Sequence, residues 1–333
     1  MLASIAHSVP PRAYGPWEQV ASTLTEGLVR RGHDVTLFAT ADSRTGARLR
    51  STAPAGYEED PHVDAKVHEA LHIASVFESA GDFDLISNQF DFLPLAFSRL
   101  VSTPVVTTVH GFSSERIVPV YREYDDDAHY VSISDSDRHP DLTYAATIHH
   151  GIDVESFTVG SGGGGYLLFL GRIQPDKGTH GAIDGARRAG LPLILAGVVH
   201  DEAYHQREVL PHVDGVAVRY VGPVGPAARD QLLGGAVGLL HLIDFEEPFG
   251  LSVVESLAAG TPVVAFRRGS MPELIRDGLT GFVVDDAQAA VGAVRGLPRL
   301  DRRACRGDAV RRFSADRMVR DYERLYASVI ASS

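Results

Sequence analysis

The chain has 333 residues, of which 44% are hydrophobic, and it carries a formal net charge of −12 with an isoelectric point near 5.6. This length exceeds the size at which one hydrophobic core usually divides, so we expect two domains of about 150 residues each. The acidic balance argues against a protein that neutralises the nucleic-acid backbone, and no segment reaches the roughly 18 to 20 apolar residues that span a bilayer. The single cysteine, Cys305, excludes an intramolecular disulfide and is typical of a reducing compartment, so we expect a cytoplasmic protein.

Short apolar runs rich in β-branched residues recur along the chain. Eight of them predict strands within residues 34–40, 83–88, 104–111, 166–171, 191–197, 216–222, 237–243 and 261–266. They show little polar alternation, and the intervals between them leave room for crossover helices. The sequence therefore predicts an α/β protein with doubly wound parallel sheets.

A glycine-rich segment, residues 158–165, lies near the middle of the chain. Because glycine loses much conformational freedom in regular structure, we interpret this segment as a flexible linker. It separates a predicted N-terminal domain, residues 1–157, from a predicted C-terminal domain, residues 166–312. Residues 313–333 carry apolar side chains at helical spacing after a serine cap, which predicts a helix that docks back toward the N-terminal domain.

Two glutamates stand at informative positions near the predicted strand 237–243. Glu247 lies in the loop after that strand, and Glu255 lies in the early turns of the next predicted helix. In an open α/β sheet, ligands bind at the carboxyl ends of the strands, and the amides at a helix start favour an anion. We therefore predict a sugar-nucleotide site, with the diphosphate on the amides of residues 250–252, the sugar hydroxyls on Glu247 and the ribose on Glu255. The alternative is that these carboxylates only favour the helix dipole and solvent.

A second predicted strand is followed by two cations. Arg172 and Lys177 flank the turn in the segment GRIQPDKG, residues 171–178. Two cations beside a strand end suit a diphosphate leaving group. Taken alone, they could equally be solvated surface side chains.

These segments together resemble the sequence pattern of glycosyltransferase family 4. GRIQPDKG is followed by EEPFGLSVVESLAAGTPVVA, residues 246–265, in which seven residues separate Glu247 from Glu255. Residues 14–40, 107–111 and 149–157 match further segments of the family in the expected order. The resemblance covers essentially the whole chain.

The resemblance implies a GT-B architecture, in which two Rossmann-like domains face a cleft. The C-terminal domain would bind the nucleotide sugar and the N-terminal domain the acceptor. Arg172 and Lys177 would bind the diphosphate, and the amides of Gly250, Leu251 and Ser252 would complete its cradle. Glu247 would position the donor sugar, Glu255 would bind the ribose, and Phe249 would lie beside the donor in the same loop.

Other positions implied by the resemblance are less well matched. Val224 corresponds to the family segment beside the base, and His110 would reach the reacting sugar and the acceptor. Family members commonly have two glycines in the first loop, where the amides approach the phosphate or the acceptor. This chain has Gly15 and Pro16 there, so Gly15 would be a donor-binding residue, whereas proline has no N–H to donate. His150 replaces the family's frequent asparagine.

The implied activity is a retaining transfer of a sugar from a nucleotide diphosphate sugar, UDP first and GDP second, to a hydroxyl of a small-molecule acceptor such as a natural product. The family needs no divalent metal, and we expect no cofactor, no metal site and no nucleic-acid partner. The residues themselves are consistent with a reaction that needs no metal, because the two cations and the helix start can supply the positive charge that a metal ion would otherwise place on the leaving diphosphate. They do not establish the stereochemistry.

Three alternatives remain open. The same fold could carry a nucleotide-sugar epimerase or phosphorylase, or a sugar-nucleotide binder without turnover. The run HEALH, residues 68–72, satisfies a zinc-hydrolase pattern in which His68 and His72 bind zinc and Glu69 acts as the base. No third zinc ligand is evident in the sequence.

Overall fold

A computed structural model of the chain describes residues 1–12, 15–112 and 114–332. The chain forms two compact units. The first consists of Met1–Gly151 together with Ala315–Ser333, and the second consists of Ile152–Ser314. Residue 333, the end of the predicted C-terminal segment, lies outside the described residues.

Each unit is built on one sheet in which all the strand pairs are parallel. The first sheet has the order β3-β2-β1-β4-β5-β6-β7, and the second has the order β10-β9-β8-β11-β12-β13. The strands are β1 (Leu2–Ala3), β2 (Thr36–Phe38), β3 (Arg48–Arg50), β4 (Ile86–Gln89), β5 (Val105–Val109), β6 (His129–Ser132), β7 (Tyr144–Thr147), β8 (Leu167–Leu170), β9 (Leu193–Ala196), β10 (Val218–Tyr220), β11 (Gly238–His241), β12 (Val263–Phe266) and β13 (Gly281–Val284). The predicted α/β class with two doubly wound parallel sheets is confirmed.

The helices of the described residues cover these sheets. They are α1 (Pro16–Arg30), α2 (Ala65–Glu78), α3 (Val118–Glu123), α4 (Thr179–Ala189), α5 (Glu202–Tyr204), α6 (Pro226–Gly235), α7 (Leu251–Ala258), α8 (Met271–Leu274), α9 (Ala287–Gly296), α10 (Arg302–Phe313) and α11 (Ala315–Ser332). Among them, none is long and apolar enough to cross a membrane.

All eight predicted strands overlap a strand of the structure, and β4 extends one residue beyond its predicted segment, to Gln89; β1, β3, β6, β7 and β13 were not predicted. These five are two to four residues long, and β3, with the sequence RLR, has no apolar run at all. These segments form strands because they pair with neighbouring strands, and the local sequence carries no sign of that pairing.

The C-terminal helix α11 packs in the first unit beside α1. Met318 and Tyr322 are fully buried in a cluster with Leu24 of α1. A Cβ atom on Gly27 would lie 2.3 Å from a methyl group of Val319, so only glycine allows the two helices to approach this closely.

The glycine-rich segment differs from its predicted role as a flexible linker. It lies inside the second unit, because the units divide between residues 151 and 152 rather than near residue 158. The amide of Gly160 donates to Ala259 O at 3.1 Å, and the amide of Gly162 donates to Gly234 O at 3.0 Å. A Cβ atom on Gly160 would lie 2.1 Å from Gly234 O. This close approach of two backbones requires glycine at position 160. The segment is an ordered part of the second unit.

In each sheet, two central strands mark the point where the direction of the crossovers reverses. These strands are β1 and β4 in the first unit and β8 and β11 in the second. In open α/β sheets, ligands bind beyond the carboxyl ends of such a strand pair. The fold therefore places candidate sites in the loops that follow these strands.

Candidate functional site

The candidate donor site of the second unit is formed by the loops that follow β8 and β11. Residues 171–178 follow β8, and residues 242–250 follow β11 and lead into α7. Gly178 has a left-handed φ of 68°, and a Cβ atom there would lie 1.8 Å from Leu242 O. This glycine lets the two loops pack backbone against backbone, which brings their side chains together.

Lys177 and Glu247 form an ion pair across these two loops. The Nζ atom of Lys177 lies 2.6 Å from Oε2 of Glu247, and the two side chains are 16% and 12% exposed. The same Nζ atom lies 4.4 Å from the centre of the Phe245 ring, within the range of a cation–π contact. The structure thus brings together the predicted diphosphate ligand and the predicted sugar ligand, and pairs them with each other.

Glu247 has a second neighbour, His241, the last residue of β11. The Nε2 atom of His241 lies 3.6 Å from Oε2 of Glu247, which is longer than a hydrogen bond. Burial by itself would raise the pKa of Glu247, but His241 and Lys177 outweigh burial and lower this pKa to about 2. Glu247 is therefore ionised at neutral pH, where it accepts hydrogen bonds and has no proton to donate.

The backbone at Glu247 is held by the segment that follows β12. The amide of Ser270 donates to Glu247 O at 2.9 Å, and the hydroxyl of Ser270 donates to Phe249 O at 2.5 Å. A Cβ atom on Gly269 would lie 2.3 Å from Glu247 O, so this close packing requires glycine. Glu246 accepts from the Gly269 amide and lies 3.6 Å from Arg268, with its side chain 70% exposed. The two adjacent glutamates therefore have different partners.

The start of α7 completes this edge of the sheet. Gly250 caps the helix with a left-handed φ of 96°, and a Cβ atom there would lie 2.8 Å from the Met271 methyl group. The amides of Leu251 and Ser252, in the first turn, have no acceptor within the helix. Phe249 is 3% exposed, and its ring packs edge-on against Phe313 at 6.2 Å. Its side chain is thus part of the core of the second unit.

The predicted ribose ligand, Glu255, lies within α7 and is paired with Arg229 of α6. The Nη1 atom of Arg229 lies 3.0 Å from Oε1 of Glu255, whose side chain is 13% exposed. Burial raises the pKa of Glu255, and the Arg229 charge opposes that shift. This arginine was not predicted.

The other two predicted donor residues lie along the same edge of the sheet. Arg172 is half-buried directly after β8, where the amide of Ile173 donates to Val198 O at 2.8 Å. Val224 is half-buried in the loop after β10, two strands from β8. Arg172 therefore lies in the same loop as Lys177, and Val224 is further along the edge.

In the first unit, His110 follows β5 at the carboxyl edge of the sheet. Its Nε2 atom lies 3.0 Å from Oε1 of Gln89, and its Nδ1 atom lies 3.4 Å from Nε2 of His150. The Trp17 ring stacks on the imidazole at 5.5 Å. Burial lowers the pKa of His110 to about 3, so the ring is neutral at physiological pH.

Gly15 precedes α1 at the same edge. A Cβ atom on Gly15 would lie 2.7 Å from Cβ of Pro11 and 3.0 Å from Oε2 of Glu18. The glycine therefore allows the loop after β1 to pack on the helix start.

The HEALH run has a structural explanation in the first unit. The Nδ1 atom of His68 lies 3.1 Å from Thr52 O, and Nε2 of the fully buried His72 lies 3.0 Å from Ala3 O. Each imidazole thus donates to a backbone carbonyl and ties α2 to its neighbours. Across residues 1–12, 15–112 and 114–332, no group of three or more His, Cys, Asp or Glu residues could hold a metal ion.

Four residues that shape the candidate donor site were not predicted from the sequence. They are Arg229, His241, Gly269 and Ser270. For His241 a signal existed, since it is the one polar residue in the apolar run 237–243 and it stands at the carboxyl end of the predicted strand. Arg229 and the 269–270 pair come from distant segments, and nothing near them in sequence marks their partners.

Comparisons of the sequence with known families give two matches. Residues 156–299 match the sequence model described as Glycosyl transferases group 1, and residues 17–139 match the one described as Glycosyltransferase Family 4. The two matches follow each other along the chain and cover most of it.

Two relatives illustrate the range of similar sequences. The O-antigen chain mannosyltransferase C of Escherichia coli is 26% identical over 376 residues, covering 97% of this chain and 96% of the relative. The D-inositol 3-phosphate glycosyltransferase of Mycolicibacterium smegmatis is 31% identical over 172 residues, which cover 46% of this chain and 38% of the relative. The second match therefore spans little more than a third of that relative's length.

Solved structures share the fold of this chain. AviGT4, a glycosyltransferase involved in avilamycin A biosynthesis, superposes with a TM-score of 0.72 at 23% identity, covering 98% of this chain and 93% of that one. Anabaena HepE, solved in complex with UDP and glucose, gives 0.72 at 18% identity and covers 94% and 96% of the two chains. The sucrose-phosphate synthase of Thermosynechococcus elongatus gives 0.76 at 18% identity and covers 99% and 96%. These neighbours confirm the predicted GT-B fold class.

Proposed function

We propose that this chain, which belongs to the family 4 type of glycosyltransferases, moves a sugar from a nucleoside diphosphate donor to a hydroxyl group of a small-molecule acceptor. The observation that carries the proposal is the buried Lys177–Glu247 pair beside the start of α7. The two side chains lie at the strand ends where open α/β sheets bind ligands, and in this proposal the cation would bind a diphosphate and the carboxylate would bind sugar hydroxyls.

Diphosphate binding would use three sources of positive charge. Arg172 and Lys177 are side-chain cations, and the amides of Leu251 and Ser252 add the partial charge of a helix start. Together they would stabilise the negative charge that develops on the leaving diphosphate, which is the part that a metal ion plays in other transferases. A reaction independent of metal ions is part of the proposal.

Glu247 and Glu255 would bind hydroxyl groups of the donor. Glu247 is ionised, so it would accept hydrogen bonds from hydroxyls of the transferred sugar. Glu255, held by Arg229, would accept hydrogen bonds from the ribose. Val224, further along the same edge, would contact the base.

The proposed transfer retains the anomeric configuration. Its route is front-face attack, in which the leaving phosphate takes the proton of the acceptor hydroxyl. Glu247 would position the donor sugar and stabilise positive charge at its anomeric carbon. His110, a neutral ring, would hydrogen-bond the sugar or the acceptor after exchanging one of its present partners.

Similar proteins guide the choice of donor and acceptor. HepE was solved with UDP and glucose, and AviGT4 takes part in the biosynthesis of a natural product. We therefore propose UDP as the first carrier and GDP as the second, with a natural product or another small molecule as the acceptor.

A thermal-shift screen of the purified chain in EDTA, against UDP, GDP, ADP, dTDP and their sugar conjugates, tests the donor site. A ligand that binds only the folded state raises its stability by mass action, so the carrier is identified before any acceptor is known. We expect one nucleotide to raise the melting temperature in the presence of EDTA. The absence of a shift with every nucleotide would contradict the proposal, and a shift that EDTA abolishes would contradict metal independence.

Product analysis with the stabilising donor tests the reaction. We expect sugar transfer only when an acceptor is present, with the anomeric configuration of the donor preserved in the product's proton NMR spectrum. Conversion of the donor sugar without an acceptor would indicate an epimerase instead.

A further inference from the structure

His241 stands out as a buried polar side chain at the candidate donor site. It ends β11, it is 7% exposed, and its Nε2 atom has no hydrogen-bond partner in the part of the chain that the structure describes. Oε2 of Glu247 lies 3.6 Å from this Nε2 atom. A buried polar atom without a hydrogen bond costs stability, so its presence at a strand end calls for a functional reason.

Lys177 contacts the same oxygen of Glu247 that His241 faces. The Lys177 Nζ atom lies 2.6 Å from this oxygen, close enough for a strong charge-assisted hydrogen bond. A diphosphate beside the start of α7 would compete for that ammonium group. If Lys177 turned toward the diphosphate, Glu247 would lose its nearest partner while it remained buried.

Within residues 1–12, 15–112 and 114–332, Lys177 is the one lysine or arginine within ion-pair distance of the Glu247 carboxylate. The groups that face the Glu247 carboxylate are Lys177, from the turn after β8, and His241, from β11. The nearby cation Arg268, from the segment after β12, lies 3.6 Å from Glu246 and 3.9 Å from Asp244, both in the same loop as Glu247.

We propose that His241 is a positioning residue, which keeps Glu247 ionised and oriented toward the donor sugar when Lys177 pairs with the diphosphate. A shift of a few tenths of an ångström would bring its Nε2–H into hydrogen-bond range of Oε2. The proposal rests on the proposed function, in which Lys177 binds a diphosphate. In this proposal His241 acts when the Lys177 ammonium is bound to the diphosphate and no longer to Glu247.

Replacing Lys177 by methionine imitates the state in which the ammonium has left Glu247. The pKa of Glu247 can then be measured by carbon-13 NMR of the glutamate carboxyl groups in the full chain without any nucleotide, with the signal assigned by its loss in Glu247→Gln. We expect this pKa to be higher in Lys177→Met/His241→Leu than in Lys177→Met by about one unit or more. In Lys177→Met/His241→Gln, the amide N–H donor should recover much of the difference.

An equal pKa of Glu247 in Lys177→Met and Lys177→Met/His241→Leu would overturn the proposal. Glutamine preserves a polar N–H donor at position 241. If the leucine variant folds poorly, the pKa of Glu247 in Lys177→Met/His241→Gln can therefore still be compared with that in Lys177→Met. The titration needs no ligand, so it is independent of the nucleotide screen. A failure of nucleotide binding would refute the proposed function and would leave the His241–Glu247 coupling as measured.

Turnover provides a second readout in the presence of Lys177. We expect His241→Leu to lower kcat about tenfold, with nucleotide affinity changed less than about twofold, because the loss falls on the donor sugar and spares the diphosphate. His241→Gln should restore most of kcat. An unchanged kcat in a folded His241→Leu variant, or an equal loss of nucleotide affinity and kcat, would contradict a role in positioning Glu247.

Discussion

The Nε2 atom of His110 lies 3.0 Å from Oε1 of Gln89, and this contact fixes the tautomer of the ring. The Gln89 amide nitrogen donates to Thr108 Oγ1 at 2.8 Å and to Ser87 Oγ at 3.2 Å, so Oε1 faces His110 as an acceptor. His110 must therefore carry its hydrogen on Nε2. Its Nδ1 atom keeps the lone pair and accepts from His150.

The tautomer of His110 is the first prediction. Proton–nitrogen NMR of the imidazoles should show His110 protonated on Nε2 and neutral down to about pH 4, since burial lowers its pKa to about 3. Gln89→Leu should remove this preference, because the acceptor for Nε2–H is lost. Gln206→Leu, at an exposed glutamine, is the control and should change nothing. A ring that carries its hydrogen on Nδ1, or that titrates near its ordinary pKa, would contradict the assignment.

The proposed diphosphate ligands give the second prediction. Arg172→Ala/Lys177→Ala should weaken UDP or GDP binding by roughly 2 to 5 kcal/mol, because two charge-assisted contacts are lost. Isothermal titration calorimetry measures this change directly. The matched control is Lys66→Ala/Arg295→Ala, which removes one lysine and one arginine from exposed helix positions. Equal affinity in the folded double variant and its control would remove these residues from the site.

The adjacent glutamates of the loop before α7 give the third prediction. Glu247→Gln keeps the size of the side chain and removes its charge, so kcat should fall by about 100-fold or more while nucleotide affinity changes little. Glu246→Gln alters an exposed neighbour that faces Arg268, and it should retain nearly full activity. Full activity in Glu247→Gln would exclude it from the mechanism.

Packing at the glycine-rich segment gives the fourth prediction. Gly160→Ala places a methyl group 2.1 Å from Gly234 O, so it should lower the free energy of unfolding by about 1 to 3 kcal/mol. Gly292→Ala, in α9 with no neighbouring atom within 4 Å, should instead raise it by about 0.5 to 1 kcal/mol through helix propensity. Urea unfolding of both variants checks the pair. A neutral Gly160→Ala would indicate a flexible join after all.

The buried imidazole of His72 gives the fifth prediction, which concerns pH. Burial lowers its pKa to about 4 from an ordinary value of 6.5. Between these values the unfolded chain binds a proton that the folded chain does not, so a falling pH favours unfolding. This one group should cost about 3 kcal/mol of stability over that window.

The pH dependence of His72→Phe tests this assignment. The variant keeps an aromatic ring near Phe90 but cannot be protonated, so its free energy of unfolding should fall less steeply than that of the native chain between about pH 6.5 and pH 4. Its stability at neutral pH should be lower, because Ala3 O loses its donor. Urea unfolding at several pH values gives both slopes, and parallel slopes would show that His72 titrates normally.

The sequence predicted the parts of the fold that depend on local pattern. Apolar runs identified the central strands, and the loops after two of them were expected to carry Lys177 and Glu247. Their proximity follows from topology, because β8 and β11 are neighbours in the sheet. The roles of these residues in binding stay predictions.

Other features depend on contacts between distant segments and could not be read from the sequence. Arg229 reaches Glu255 from α6, and the 269–270 pair holds Glu247 from beyond β12. The glycines of residues 158–165 predicted a flexible segment, because the close approach of Gly160 to Gly234 exists only in the folded unit and leaves no mark in the local sequence. The aromatic ring of Phe249 likewise turns into the core, which its place in the predicted donor loop did not indicate.

The place of α11 has a consequence for the order of assembly during translation. Tyr322 and Met318 complete the core beside α1, yet they follow all of Ile152–Ser314 in the chain. A ribosome delivers the whole second unit before it delivers α11, and domains generally fold as they emerge. The first unit, whose synthesis begins first, therefore completes its fold last. Until α11 emerges, the surface of α1 that Tyr322 will cover is exposed to chaperones and to neighbouring nascent chains.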